Sequence, residues 1–163
     1  MVDRVSASIE IGGTIGSADY TRLVALIGAE ALAIQWDGED FAPEHRQEGQ
    51  SLRLYAHEVA WGRFDALEAT CIEMGLPFAR WSGGCSGQWG SERVVFTGEG
   101  EPQPYPVDES DTVLIGRAAI KQLGSIEAVL AWFDAADFAI PPLVVTGDDE
   151  AADDVAADAS QGA

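Results

Sequence analysis

The fold is decided by residues 52–81, which read LRLYAHEVAWGRFDALEATCIEMGLPFARW. Apolar and polar side chains alternate over Leu52 to Val59 well enough to predict a half-buried strand. At the other end of the stretch, Phe78 to Trp81 is short and rich in residues that favour strands. The stretch therefore predicts a strand, a helix and a second strand.

The helix of this unit is predicted over Arg63 to Gly75. Its apolar residues lie three, four and five positions apart, which places them on or just beyond one helical face: Phe64, Leu67, Cys71 and Leu76. Gly75 can adopt the left-handed conformation that ends a helix, and Pro77 prevents a further turn. The helix therefore has a defined end.

A similar unit precedes this one. Val5 to Ile11 alternates and predicts a strand with one wet face. Gly12 to Gly16 then breaks the strand; its backbone could hold a phosphate, but it matches neither the P-loop nor the dinucleotide motif, so we interpret it as a structural turn. A helix capped by Ser17 or Asp19 follows, and Ala33 to Trp36 is a short strand.

The two units form an internal repeat. The apolar residues of the first helix have the same spacing as those of the second, 44 positions earlier: Tyr20, Leu23, Ile27 and Leu32. Each set is preceded by a strand and a glycine-containing turn. Two such units in tandem predict an α+β fold of the split βαβ (ferredoxin-like) kind, with a mixed sheet and both helices on one face.

The remainder of the chain adds loops, a hairpin and helices. Asp37 to Gln50 is predicted as a polar surface loop, and Arg93 to Thr97 as a strand that extends the sheet through a hairpin. Gly98 to Asp111 holds three prolines and five acidic residues, which predicts a second acidic loop.

Two helices are predicted at the end of the domain. The first covers Arg117 to Leu123, and the second is capped by Ser125 and buries four residues: Ile126, Val129, Leu130 and Phe133. Leu143 to Val145 is predicted to add an edge strand or to pack down. Residues 1–146 thus form one acidic domain, and residues 147–163 are predicted to be a disordered acidic tail.

Charge is the strongest global feature. The chain has 28 acidic and nine basic residues, for a net charge of −19. Six of the acidic residues lie in the tail, which leaves 22 against nine, or −13, on the domain. Such an excess disfavours direct binding to nucleic acid or to an anionic membrane and favours a protein partner with a basic surface. The alternative is that the charge serves solubility alone.

Composition also bounds the compartment and the cofactors. Two cysteines, Cys71 and Cys85, are too few for a disulfide scaffold and lack the spacing of a metal site. No signal peptide and no run of 18 apolar residues is present, so a cytoplasmic, reduced protein is predicted. We predict no cofactor and no metal.

Two kinds of residue grouping could carry chemistry: a cysteine with a histidine, and pairs of carboxylates. Cys85 could be a nucleophile with His57 or His45 as its base, although nothing nearby in sequence would lower the pKa of the thiol. Carboxylate pairs such as Asp108 with Asp111, or Asp37 with Asp40, lack the spacing of a calcium loop. A solvated acidic rim is the simpler interpretation.

The five tryptophans have different predicted roles. Trp36 and Trp81 are expected to fill equivalent core positions at strand ends, and Trp132 to lie beside the last helical stripe. Trp61 and Trp89 fall in glycine-flanked turns, where an exposed tryptophan would anchor a partner.

These observations predict a non-enzymatic acidic binding or inhibitor protein. One form of it would be a nucleic-acid mimic that blocks a DNA- or RNA-binding enzyme, as anti-restriction and anti-CRISPR proteins do. The alternatives are a general protein-interaction or assembly module, and a small cysteine-dependent enzyme using Cys85 and His57. The predicted partner-binding residues are Asp37, Glu39, Asp40, Glu44, Glu99, Glu101, Asp108, Glu109, Asp111, Trp61 and Trp89.

Overall fold

A computed structural model describes residues 3–147. The predicted tail therefore lies outside the described residues, apart from Gly147. The strands and helices, together with a 3-10 turn at Pro43–His45, are β1 Arg4–Ile11, β2 Gly13–Gly16, α1 Ser17–Ala29, β3 Leu52–Ala60, α2 Asp65–Met74, β4 Phe78–Ser82, β5 Glu92–Phe96, β6 Gln103–Pro106, α3 Arg117–Leu123, α4 Ile126–Ala136 and β7 Leu143–Thr146.

The main sheet has five strands in the order β3-β1-β4-β5-β6, and every neighbouring pair is antiparallel. The predicted α+β class and the added β4–β5 hairpin are confirmed. The predicted mixed sheet is wrong in one respect, because the parallel pair β2–β7 forms a separate two-stranded sheet.

The glycine-rich segment after β1 is not a simple turn. Gly13 to Gly16 forms β2, which pairs with the predicted edge strand β7. Gly12 is required by close packing, since a Cβ there would lie 1.8 Å from the carbonyl oxygen of Pro141. Gly12 thus admits the segment that leads into β7, and Gly13, at a φ of 100°, lies against Pro77, so packing accounts for these two glycines without a phosphate.

The predicted strand Ala33 to Trp36 is reduced to a single residue, Ala33, which forms isolated bridges with Tyr55 and Asp40. Ala33 and Tyr55 exchange backbone hydrogen bonds of 2.8 and 2.9 Å. The chain then turns, with Gly38 N–H donating to Gln35 and Asp37 at a φ of 56°. The turn ends the ladder before a strand can extend.

The main core lies between α1, α2 and one face of the sheet. The repeated helical stripes are confirmed, because all but the partly buried Tyr20 are fully enclosed and pack against Ala7, Ile9 and Ile11 of β1. Gly75, at a φ of 69°, ends α2, and Leu76 N–H donates to the Cys71 carbonyl. The sequence rule for this helix end therefore holds in the structure.

One charged side chain lies on the core face of the sheet. Arg80 of β4 is 2% exposed, and its Nε lies 3.0 Å from Glu68 Oε2 on α2. Its other contacts are with Glu92 at 3.4 Å and Ser82 Oγ at 3.0 Å. Burial raises the pKa of Glu68 in spite of the opposing attraction of Arg80.

Helix α4 covers the opposite face only over β5 and β6. Its buried residues are Val129 and Ala136, and Trp132 contacts Tyr105 with ring centroids 5.3 Å apart. The predicted stripe is therefore partly wrong: Ile126 is 71% exposed and Leu130 is 57% exposed. The side of the helix that packs on the sheet carries Trp132 and Ala136 instead.

The predicted acidic loop Gly98 to Asp111 contains a strand. Residues Gln103 to Pro106 form β6, with Tyr105 buried opposite Arg93 of β5. The two prolines of this segment argue against a strand in the sequence. At the outer edge of a sheet, however, proline is compatible with a strand. Within residues 3–147, no helix lies over β3, β1 and β4 on the sheet face that α4 covers at β5 and β6.

Candidate functional site

The uncovered sheet face carries a cleft, here called the sheet-face cleft. It consists of two adjoining cavities of about 410 and 690 Å³, which share Ser6, His57, Trp81 and Glu109. Ser6, His57 and Trp81 come from β1, β3 and β4, at strand positions opposite to the core-facing ones. These three neighbouring strands therefore form the floor.

Trp36 forms one wall of the sheet-face cleft. Its ring lies 5.0 Å from that of Tyr55, 5.1 Å from that of His57 and 6.1 Å from that of Trp81, and it is 40% exposed. The prediction that Trp36 and Trp81 fill the core is wrong. The chain turns after the Ala33 bridge, so Trp36 lies on the polar face of the sheet.

Residues 108–111 form the opposite wall. Glu109 accepts hydrogen bonds from Ser91 Oγ at 2.6 Å and from Gly84 N–H at 3.2 Å, which hold its carboxylate at the rim. Asp108 caps its own turn by accepting from the backbone N–H groups of residues 110 and 112. Trp81 Nε1–H donates to the Asp108 carbonyl at 3.3 Å, which fixes the wall to the floor.

Asp111 belongs to a structural ion pair as well as to the wall. Its Oδ1 lies 2.9 Å from Arg93 Nε, and Arg93 also contacts Asp137 at 2.8 Å. Burial raises the pKa of Asp111, while the Arg93 guanidinium opposes the rise. Asp111 is therefore less available than Asp37, Glu58 or Glu109 to a partner.

Three polar side chains of the sheet-face cleft form one hydrogen-bonded series. Ser6 Oγ lies 2.9 Å from His57 Nδ1, and His57 Nε2 lies 3.1 Å from Asp37 Oδ1. A β-bulge creates this alignment, because the β1–β3 register shifts between Val5 and Ala7 and Glu58 is the extra residue. Both ring nitrogens of His57 are thereby engaged.

Backbone strain is concentrated around the sheet-face cleft. Five non-glycine residues in the described part of the chain have a positive φ, and three of them line it: Asp37, Glu58 and Asp111. Such conformations persist where the surroundings enforce them, and they are common at functional sites.

The predicted partner-binding residues divide among several places. Asp37, Glu109 and Asp111 line the sheet-face cleft, together with Glu58, which sequence reasoning missed. Arg4 is the basic residue beside them.

Asp40 pairs through its backbone with Ala33, and Glu39 lies 3.6 Å from His45. The acidic residues are therefore not one continuous group.

Glu44, Glu99 and Glu101 lie elsewhere. Glu44 lines a separate cavity of about 660 Å³ with His45 and Arg53. Glu99 and Glu101 belong to the β5–β6 connection, at the end of the sheet opposite to Asp37. We favour the sheet-face cleft over the separate cavity because it combines an exposed tryptophan with a strained, hydrogen-bonded polar series.

The two tryptophans predicted as anchors come together in a further place. Trp61 is 42% exposed, and its ring lies 5.9 Å from that of Trp89. Arg63 and Glu92 border this pair in a cavity of about 220 Å³. Trp61 and Trp89 thus form a small aromatic surface outside the sheet-face cleft.

The cysteines lie apart from the hydrogen-bonded series. Cys85 forms a backbone bridge with Trp89, and both nitrogens of His57 already have other partners. Burial raises the pKa of the Cys71 thiol to about 12. Among residues 3–147 no group of three histidine, cysteine or acidic residues could hold a metal ion.

Comparison of the chain with protein-family models, curated proteins and solved structures found no match. In the described part of the chain, no helix is both long enough and apolar enough to cross a membrane. The geometry of the sheet-face cleft is therefore the basis for a functional proposal.

Proposed function

We propose that the protein binds a positively charged surface of a partner protein in the sheet-face cleft. One observation carries the proposal: the exposed Trp36 stands beside a rim formed by Asp37, Glu58 and Glu109. An aromatic face with nearby carboxylates attracts lysine and arginine side chains through cation–π and charge interactions. Binding of this kind needs no catalytic step.

The net charge of the domain supports the same proposal through electrostatic attraction that acts at longer distances than direct contacts. At −13, it accelerates encounter with a basic surface and opposes binding to nucleic acid. The most reliably basic protein surfaces are those that bind nucleic acid. We therefore extend the proposal to an inhibitor of the anti-defence kind, which competes with DNA or RNA for a nucleic-acid-binding enzyme.

The experiment uses two variants with equal charge changes. E58Q/E109Q removes two charges from the sheet-face cleft, and E99Q/E101Q removes two from the distant hairpin. Partners captured from lysate by the full-length protein are compared with those captured by each variant, at low and high salt and with competing duplex DNA. We expect E58Q/E109Q to lose the partner, and E99Q/E101Q to retain it.

The same experiment has clear contrary outcomes. Equal loss in both variants would indicate a diffuse effect of charge, and capture that is insensitive to salt would exclude the electrostatic mechanism. Capture that DNA does not displace would remove the nucleic-acid mimicry and leave the general binding role.

A second candidate is an interaction module that binds through α4. Ile126 and Leu130 are one helical turn apart and highly exposed, which favours an apolar contact. This contact would survive high salt, and I126S/L130S would abolish it. E58Q/E109Q would leave it intact.

We also propose that the sheet is of the split βαβ (ferredoxin-like) kind. The support is the position of β1 between β3 and β4, with the Ala33 bridge on the other side of β3. In this proposal the second strand of the first unit is reduced to that bridge. An experimental structure superposed on ferredoxin-like domains tests it.

A further inference from the structure

We infer that Ser6 is an activated nucleophile, with His57 as its base and Asp37 as the group that orients the base. This activity goes beyond the proposed binding role. A nucleophilic hydroxyl needs a base within hydrogen-bond reach and a third group that fixes the base. The distances of 2.9 and 3.1 Å along the series meet both requirements.

The fold holds the imidazole in one orientation. Ser6 and Asp37 contact its two nitrogens, and the Trp36 ring lies 5.1 Å from its centroid. The β-bulge at Glu58 and the left-handed conformation of Asp37 are the backbone features that produce this alignment. The series is thus fixed by nonlocal contacts.

The nucleophile is accessible to a small molecule. Ser6 lines both cavities of the sheet-face cleft, and the His57 side chain is 50% exposed. The neighbouring Ser8 lies on the same face of β1 and lines the smaller cavity. In the described structure it is Ser6 Oγ that lies within hydrogen-bond distance of His57, so Ser8 serves as the internal comparison for covalent labelling.

The reaction class that fits is hydrolysis of a carboxylic ester through an acyl-serine. With the ring proton on Nε2, His57 donates a hydrogen bond to the Asp37 carboxylate, and its free Nδ1 takes the proton of Ser6 as Oγ attacks the carbonyl carbon. The Oγ–C bond forms, the ester C–O bond breaks, and the alcohol leaves with that proton. Water then attacks the acyl carbon while His57 takes one of its protons. The acyl C–Oγ bond breaks, the carboxylic acid leaves, and His57 returns the proton to Ser6 Oγ.

The surroundings restrict the substrate. Asp37, Glu58 and Glu109 repel anionic substrates such as phosphate esters and tolerate neutral or cationic ones. Trp36 and Trp81 offer apolar and cation–π contacts to the alcohol part. Neutral or cationic esters of carboxylic acids are therefore the substrate class.

The test uses p-nitrophenyl acetate and the full-length protein. We measure release of p-nitrophenol and locate the acetyl group by mass spectrometry of the peptides. We expect acetylation on Ser6, a loss of about 100-fold in rate for S6A and H57Q, a smaller loss for D37N, and no change for S86A, which replaces an exposed serine that does not line the cleft. Circular dichroism and thermal unfolding establish that each variant is folded.

A fluorophosphonate provides a readout on the wild-type protein alone. Ser6 Oγ should displace fluoride and carry one phosphonyl group per chain. Labelling of Ser8 at the rate of Ser6, or unchanged acetylation in H57Q, overturns the inference. S6A and H57Q keep Trp36 and the acidic rim, so lost ester hydrolysis with retained partner capture would separate this activity from the proposed binding.

Discussion

Replacing Arg80 with methionine should destabilise the protein in a strongly pH-dependent way. The substitution leaves Glu68, whose side chain is 13% exposed, without its cation. The unpaired carboxylate of Glu68 can take up a proton. The free energy of unfolding lost by leaving it charged therefore cannot exceed the free energy needed to protonate it. With an ordinary pKa of 4.5 for this group, that cost is about 3.4 kcal/mol at pH 7 and about 0.7 kcal/mol at pH 5.

The direction follows from the pKa of Glu68. Burial already raises it in the wild-type protein, and removing Arg80 removes a cause that lowers it, so the folded variant holds its proton to higher pH. A folded-state pKa above the unfolded value means that stability falls as pH rises between the two. The R80M loss should therefore grow from pH 5 to pH 7.

Urea unfolding followed by tryptophan fluorescence measures these differences. The double variant R80M/E68Q should recover to within about 1.5 kcal/mol of wild type at both pH values, because no buried charge remains. R22M breaks the exposed pair with Glu73 and should cost less than about 1 kcal/mol at either pH. An R80M loss that is equal at both pH values, or that persists in R80M/E68Q, would refute the reasoning.

Two further predictions concern thiols and glycines. At pH 8 a thiol reagent should modify Cys85 quickly, while Cys71, with its pKa of about 12 and no exposure, should react only after unfolding; two fast thiols per chain would contradict this. G12A should lower the melting temperature because its Cβ meets Pro141, whereas G28A, in α1 with nothing within 4 Å, should raise stability by about 0.5–1 kcal/mol. Thermal unfolding checks the pair, and a stable G12A would refute the packing reason.

The features that sequence predicts well here are local or repeated. The stripes of α1 and α2 recur 44 positions apart, and the Gly75 helix end depends on adjacent residues, so both could be read directly. The acidic domain charge was equally visible. The strand Gln103–Pro106 is not visible in the sequence, because its prolines argue against a strand. They are acceptable only at the edge of the sheet, and that position depends on pairing with β5.

The candidate site was only partly visible in the sequence. The negative charge of Asp37, Glu109 and Asp111 marks them as candidates in the sequence, but Ser6 is only one polar residue of the alternating segment Val5 to Ile11. Its meeting with His57 requires the register of β1 against β3 and the bulge at Glu58, which no local pattern encodes. Trp36 was misplaced for the same reason, since one turn decides which side of the sheet it covers.

The prolines of β6 also limit how this sheet can associate. Pro104 and Pro106 have no backbone N–H, and the Pro106 carbonyl already accepts from Leu114 at 2.9 Å. A neighbouring chain would find few donors or acceptors along that border, so growth by strand addition is blocked there. The molecule can thus leave one broad sheet face open to solvent without that border becoming a template for fibres.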